Sequence, residues 1–265
     1  MKKIFDKGLV IFKNKKLVDF FTHAETWSEK IGLFCLYLGM PLLGIAFCIE
    51  YENAVDKMFG EPAAVAAGFF VACILLGYVA DKMLEYVRPS INQAKTYIVN
   101  GAFFDVLAFL FGIITLLSGF AGIVLLFSGD IQNSITALAV CGLTLYFVTM
   151  LMSPNKMLNV NVQESATPAQ SLISLTAFLI KAAYRMVPFA FGALMLVVLV
   201  NGIDLTFYTH SISPYRLMEY ITLFGVTALL PLIGYFLFLT YYFILDLCMS
   251  LFRIADAVEG KHKTK

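Results

Sequence analysis

Hydrophobic residues are gathered into six runs along the chain, and short polar loops separate them. An α-helix needs about 20 apolar residues to cross the hydrocarbon core of a bilayer, and most of the runs approach or exceed that length. Because lipid cannot satisfy backbone hydrogen bonds, such runs cross a membrane as helices. The pattern therefore predicts an all-α polytopic membrane bundle with about six transmembrane helices. The predicted spans are residues 31–49, 63–80, 101–127, 134–152, about 186–200 and 218–245.

The fifth run differs from the others because two cations, Lys181 and Arg185, precede it within a longer apolar stretch. The sequence "TPAQ" upstream is typical of a helix start at Pro168. A helix from there to Val200 would be roughly 50 Å long at 1.5 Å per residue, which exceeds the roughly 30 Å core. Since Pro188 would bend such a helix, we predict an interfacial helix at 168–184, then a bend, then a span.

The N-terminal segment has an amphipathic pattern. Apolar residues recur at helical spacing there, and six lysines occur among the first sixteen residues. This combination predicts a helix near 15–28 that lies on an anionic lipid surface. An ordinary cytosolic flank and a helix that docks a protein are the alternatives. The apolar positions are Leu17, Phe20, Phe21, Ala24 and Trp27.

Loops that are rich in lysine and arginine alternate along the chain with loops that contain few of these residues. The first thirty residues carry seven of them, whereas the next loop, "EYENAVDKMFGEP", carries only Lys57. Positive loops stay on the cytoplasmic side, so we predict that both termini are cytoplasmic. With a bacterial source assumed, the membrane is the cell inner membrane. The predicted parts are a cytosolic amphipathic segment (1–30), a transmembrane domain (31–252) and a basic tail (253–265).

Composition narrows the function further. Hydrophobic residues make up 60% of the chain and charged residues 14%, against about 25% charged residues in soluble domains. The net charge of +1 gives no electrostatic case for nucleic acid. The five cysteines form no CxxC pair, so a disulfide framework or zinc site is disfavoured.

Catalytic patterns are missing from the sequence. The three histidines lie outside the predicted spans, which argues against an intramembrane Ser–His dyad or a bis-histidine haem. No HExxH, GxSxG or Walker A pattern occurs. We therefore predict a non-enzymatic protein without catalytic, cofactor-binding or metal-binding residues.

Ionisable residues near the predicted cytosolic helix ends are the candidate functional groups, because charges inside a membrane are rare. Lys181 and Arg185 either reach along lipid to water, which is the preferred interpretation, or form a cluster with acidic residues. The candidate partners are Asp105, Asp246 and Asp81. Prolines inside spans are candidate hinges, with static kinks as the alternative. These are Pro41, Pro188 and Pro231.

The middle of the predicted spans carries few polar residues, and Ala64, Gly68 and Ala72 repeat at the four-residue spacing that allows close helix packing. We therefore predict a structural or assembly subunit of a larger membrane complex. Its partners would be the lipid bilayer and either another membrane protein or further copies of itself. The alternative is a transporter or channel for a small or lipid-like solute, which requires a cavity that continues past Lys181 and Arg185.

Overall fold

A computed structural model describes residues 15–94, 97–98, 101–162, 168–207 and 214–263. These residues form an all-α polytopic bundle, and six helices are long and apolar enough to cross a membrane. The fold class predicted from the hydrophobic runs is confirmed. Residues 1–14 and Thr167 lie outside the described part, and so do the side chains of the basic tail.

Most of the membrane helices are longer than the hydrophobic runs, whereas α5 matches its run. The first span consists of α1 (Lys15–Phe34), a π-helical turn (Cys35–Gly39) and α2 (Met40–Glu50). The other elements are α3 (Glu52–Phe59), α4 (Pro62–Gln93), β1 (Tyr97–Ile98), α5 (Gly101–Phe127), α6 (Ile131–Met152), α7 (Pro154–Leu158), β2 (Asn161–Val162), α8 (Pro168–Phe207) and α9 (Pro214–Lys263). The two short strands pair in parallel.

Helix α8 occupies the centre of the bundle. It contacts α1, α2, α4, α6 and α9, and its most apolar stretch is 44% buried. Helix α5 lies at the periphery, where it packs mainly on α6, and only 11% of its most apolar stretch is buried. A hydrogen bond between the hydroxyls of Thr115 and Thr144 joins these two helices. A substitution on α8 can therefore affect its packing with most of the other helices.

The two segments predicted as separate interfacial helices are continuous with spans. Residues 15–28 belong to α1, which packs against α8, and residues 168–184 are the first part of α8. Helix α8 begins at Pro168 as predicted, but it runs without interruption through Pro188. Contacts with neighbouring helices can hold a helix together around a proline in a membrane protein, so the length excess does not produce a break there.

The three predicted hinge prolines lie in different local helix geometries. Pro41 follows the π-helical turn, in which the Met40 N–H donates to the Cys35 carbonyl. A π turn widens the helix where the proline ring would otherwise crowd a carbonyl. Pro188 and Pro231 instead lie inside uninterrupted helices. Only at Pro41 does the structure show a local change of helix type.

Candidate functional site

Helix α1 presents a carboxylate to the interior of the bundle. Glu25 has no exposed surface, and its neighbours on the same helix face, Phe21 and Ser28, are buried as well. Phe20 and Trp27, which the sequence placed on the apolar face, are exposed at 61% and 65%. The predicted apolar face was expected to lie on lipid; its Phe20 and Trp27 are exposed on the outside of the bundle, whereas its Phe21 belongs to the face that packs on α8.

Three side chains converge on the Glu25 carboxylate. Arg185 Nη2 lies 2.8 Å from Oε2, and Arg88 Nε lies 3.3 Å from Oε1. The Tyr146 hydroxyl donates to Oε2 at 3.1 Å. We call these four residues the glutamate network. Its members come from α1, α4, α6 and α8, so only the assembled bundle brings them together.

The electrostatics of this network are asymmetric. One carboxylate faces two guanidinium groups. Arg185 has a nearly buried side chain, at 10% exposure, whereas the Arg88 side chain is 43% exposed. Arg88 also donates from Nη2 to Thr26 Oγ1 at 2.8 Å. Burying an ion pair has a large desolvation cost, and removing one partner of a buried pair is strongly destabilising because it leaves an uncompensated buried charge. Each arginine therefore secures the burial of Glu25.

Arg185 keeps one unused donor in the interior. Its Nε is buried and has no hydrogen-bond partner among the described residues. The Nη2 contact to Glu25 is the ion pair that holds this side chain in the interior. Since an unpaired buried donor is costly, Arg185 depends strongly on Glu25.

Lys181, one helical turn before Arg185, makes a different contact. Its side chain is completely buried, and Nζ donates at 2.7 Å to the carbonyl of Ala94. Ala94 directly follows the last residue of α4, where helix carbonyls lack intrahelical partners and carry partial negative charge. Lys181 therefore ties the first part of α8 to the end of α4.

The structure does not assemble the predicted charge cluster. Asp81, Asp105 and Asp246 have exposed side chains, and Arg185 pairs with Glu25 instead of any of them. Nor does Lys181 extend along the surface of the bundle, since it is fully buried. In the preferred interpretation both cations reach outward along lipid, whereas in the structure both point into the bundle.

Glu25 was missed because it precedes the first hydrophobic run. Residues before that run are cytosolic in the predicted topology, whereas the packed part of the helix starts about three turns earlier. One signal was available: Phe21, Glu25, Ser28 and Gly32 share a helix face that continues into the span. A small polar residue and a glycine on that face are typical of close helix packing in membranes.

The opposite end of the bundle contains an apolar cavity. Glu25 and Glu50 lie on one continuous helical segment, so the network and the end of α2 are far apart. The cavity has a volume of about 160 Å³ and is lined mainly by α2, α3, α4, α8 and α9. Neither Lys181 nor Arg185 lines it. Its walls include Met40, Leu43, Phe47, Phe69, Leu205 and Tyr220.

The chemistry available to the glutamate network is limited. Glu25 is the only acid in it, and both arginines and the tyrosine hydroxyl are engaged in holding that acid. Within the described ranges, no group of three or more histidine, cysteine, aspartate or glutamate side chains is placed to hold a metal ion. The geometry suits a structural lock between four helices.

Comparison with known protein families, curated proteins and solved structures yields no match to this chain.

Replacing Tyr146 with phenylalanine is expected to destabilise the bundle by about 1.5–3 kcal/mol, the contribution of a hydrogen bond to a charged group. The ring contacts with Phe21 and Phe189 would remain, so the loss is confined to the polar contacts of the hydroxyl, which include the bond to Glu25. The measurement is the free energy of unfolding in detergent micelles. The control is Tyr78→Phe on the exposed face of α4. Equal effects of the two changes would show that the hydroxyl does not support Glu25.

Proposed function

We propose that this chain is a non-enzymatic integral membrane protein that serves as a structural or assembly subunit of a larger membrane complex. The observation that carries the proposal is the complete burial of Glu25 among its three donors. Both termini would face the cytoplasm of a bacterial cell, as the alternation of lysine and arginine between loops favours.

A carboxylate with a catalytic or ion-carrying role must meet its substrate, an ion or water. Glu25 has no exposed surface, and both of its oxygens accept charged or hydroxyl donors. Its exchange with solvent would require the side chains that cover it to move aside. Such a group is suited to fixing the positions of helices, and this is what a scaffold within an assembly requires.

A helix face on the outside of the bundle supports the assembly role. Ala64 and Gly68 on α4 are exposed, and a Cβ added at Gly68 would meet no atom within 4 Å. In lipid, small residues allow helices to approach closely, and that packing drives helix association. This face of α4 is available to a helix of another subunit.

The experiment is the native mass of the protein extracted in mild detergent. We expect an assembly heavier than the 29.5 kDa chain, and we expect Gly68→Leu to reduce it to a single chain that still folds. Gly112→Leu on α5 is the matched control, because a Cβ there also meets nothing within 4 Å. A wild-type protein that is a lone monomer under gentle extraction would contradict the proposal.

The alternative function is a transporter or channel for a small or lipid-like solute. The apolar cavity favours it, because a lipid-like solute needs an apolar binding site. The cavity lining does not extend to the charged end of the bundle. Solute flux in proteoliposomes distinguishes the two functions: a scaffold gives none, whereas a transporter gives flux that a bulky residue in the cavity blocks.

A further inference from the structure

We infer that the apolar cavity binds a hydrocarbon chain, the chemical group that membrane phospholipids and free fatty acids share. This inference does not depend on the proposed assembly role, because it concerns the other end of the molecule.

The size of the cavity is suited to part of such a chain. It has a volume of about 160 Å³. Apolar cavities of about this size remain free of water and bind benzene-sized apolar molecules. The walls include the side chains of Leu43, Phe47, Phe69 and Leu205, which offer dispersion contacts and no hydrogen bonds. Because water gains nothing in such a space, an apolar occupant is favoured.

The few polar groups at the walls are already engaged. Thr206 donates to the Gly202 carbonyl at 2.8 Å, and the Tyr51 hydroxyl donates to the Thr206 carbonyl. The Tyr220 hydroxyl lies 3.6 Å from the sulfur of Met40, which is a weak acceptor. A polar solute would therefore lose its hydration and receive little in return, whereas a hydrocarbon loses nothing.

The location of the cavity gives a lipid chain access to it. Its lining residues lie within about three helical turns of the α2 and α8 ends at Glu50 and Phe207. That depth corresponds to the acyl chains of one leaflet. Two lining residues, Phe59 on α3 and Ile221 on α9, are exposed at 48% and 42%. An acyl chain from the surrounding leaflet can therefore enter from the side of the bundle.

The test is photolabelling of the full-length protein in lipid nanodiscs. The probes are a phosphatidylcholine with a diazirine at one acyl-chain end and a free fatty acid with the same modified chain. Labelled peptides are identified by mass spectrometry. We expect labelling to concentrate on cavity-lining residues of α2 and α4 and to exceed that of α5, whose apolar surface faces outward.

Two variants fill the cavity from different helices. Val65→Phe on α4 and Cys48→Phe on α2 each add a ring to a lining position, and each is expected to reduce cavity labelling to the level seen on α5. Leu116→Phe is the control, since this residue is 74% exposed on α5, and it should leave the cavity labelling unchanged. If one filled variant fails to fold, the other decides the result.

The two probes distinguish the possible sources of the bound hydrocarbon chain. Labelling by both probes assigns the site to membrane lipid, and labelling by the fatty acid alone assigns it to a free acid. Tyr220→Phe is expected to preserve labelling, because a hydrocarbon accepts no hydrogen bond. Labelling spread evenly over the surface, or insensitive to both filled variants, would overturn the inference. So would a loss caused by Tyr220→Phe in a folded protein.

Discussion

Replacing Arg185 with glutamine is expected to destabilise the bundle by about 3–5 kcal/mol, the usual cost of removing one partner of a buried ion pair. Glu25 would remain fully buried with only Arg88 as a charged partner, at the longer distance of 3.3 Å. The neutral amide of the glutamine side chain cannot replace a guanidinium group that is always charged. The measurement is the free energy of unfolding in detergent micelles, together with the yield of folded protein from membranes.

The control for this prediction is an ion pair that is exposed. Lys82 Nζ lies 3.0 Å from Glu85 on the same helix, with side chains that are 45% and 66% exposed. Lys82→Gln is expected to change stability by less than about 1 kcal/mol, as is usual for exposed pairs. If Arg185→Gln were as mild as Lys82→Gln, the cation would not be required to keep Glu25 buried.

The substitution Gly192→Val is expected to have the next largest effect. Helix α8 crosses α1 at this residue, and a Cβ on Gly192 would overlap the backbone carbonyl and the hydroxyl of Ser28. Ser28 also donates to the Phe189 carbonyl at 2.9 Å, which fixes the same crossing. Because backbone atoms cannot move out of the way as a side chain can, the two helices would have to separate.

That separation would also disturb the glutamate network. Glu25 precedes Ser28 by about one turn on α1, and Arg185 precedes Gly192 by two turns on α8. We expect a loss of at least about 3 kcal/mol from overpacking and the weakened ion pair together. Thermal unfolding and folded yield are the measurements.

Gly112→Val is the matched control for the helix crossing. It places the same side chain on a membrane helix at a position where a Cβ meets no atom within 4 Å. A change within about 0.5 kcal/mol is expected, as for other substitutions away from packed features. Similar losses for both glycines would mean that valine weakens any helix of this protein and that the crossing is not special.

The hydrophobic pattern predicted the architecture because membrane crossing depends on length and polarity alone. Neither property depends on which helices are neighbours. The start of α8 at Pro168 was predicted from local chemistry for the same reason, since a proline at the first helical position needs no tertiary contact.

Which side chains meet in the site depends on how each helix is rotated about its axis, and the sequence does not specify that rotation. On α1 the hydrophobic pattern predicted a face that contacts lipid, and it gave no reason to expect that α8 packs against the face that carries Glu25. The Lys181 contact was equally inaccessible, because its acceptor is a backbone carbonyl 87 residues away. A carbonyl has no residue identity that a motif could reveal.

The apolar cavity could not be predicted either. Its walls come from helices that are distant in sequence, and its volume is what their packing leaves unfilled. The runner-up function required a cavity that reaches the charged residues. The cavity lies at the other end of the bundle, and its lining is mostly hydrophobic.

The most direct test of the central claim, that Glu25 and Arg185 lock the bundle, is a double-mutant cycle. The free energy of unfolding is measured for the wild type, Glu25→Gln, Arg185→Gln and the double variant. We predict a coupling energy on the order of 2 kcal/mol, within the range found for residues in one buried network. The double variant should therefore be much less destabilised than the sum of the single variants. A coupling energy no larger than that of Lys82 and Glu85 would contradict the account.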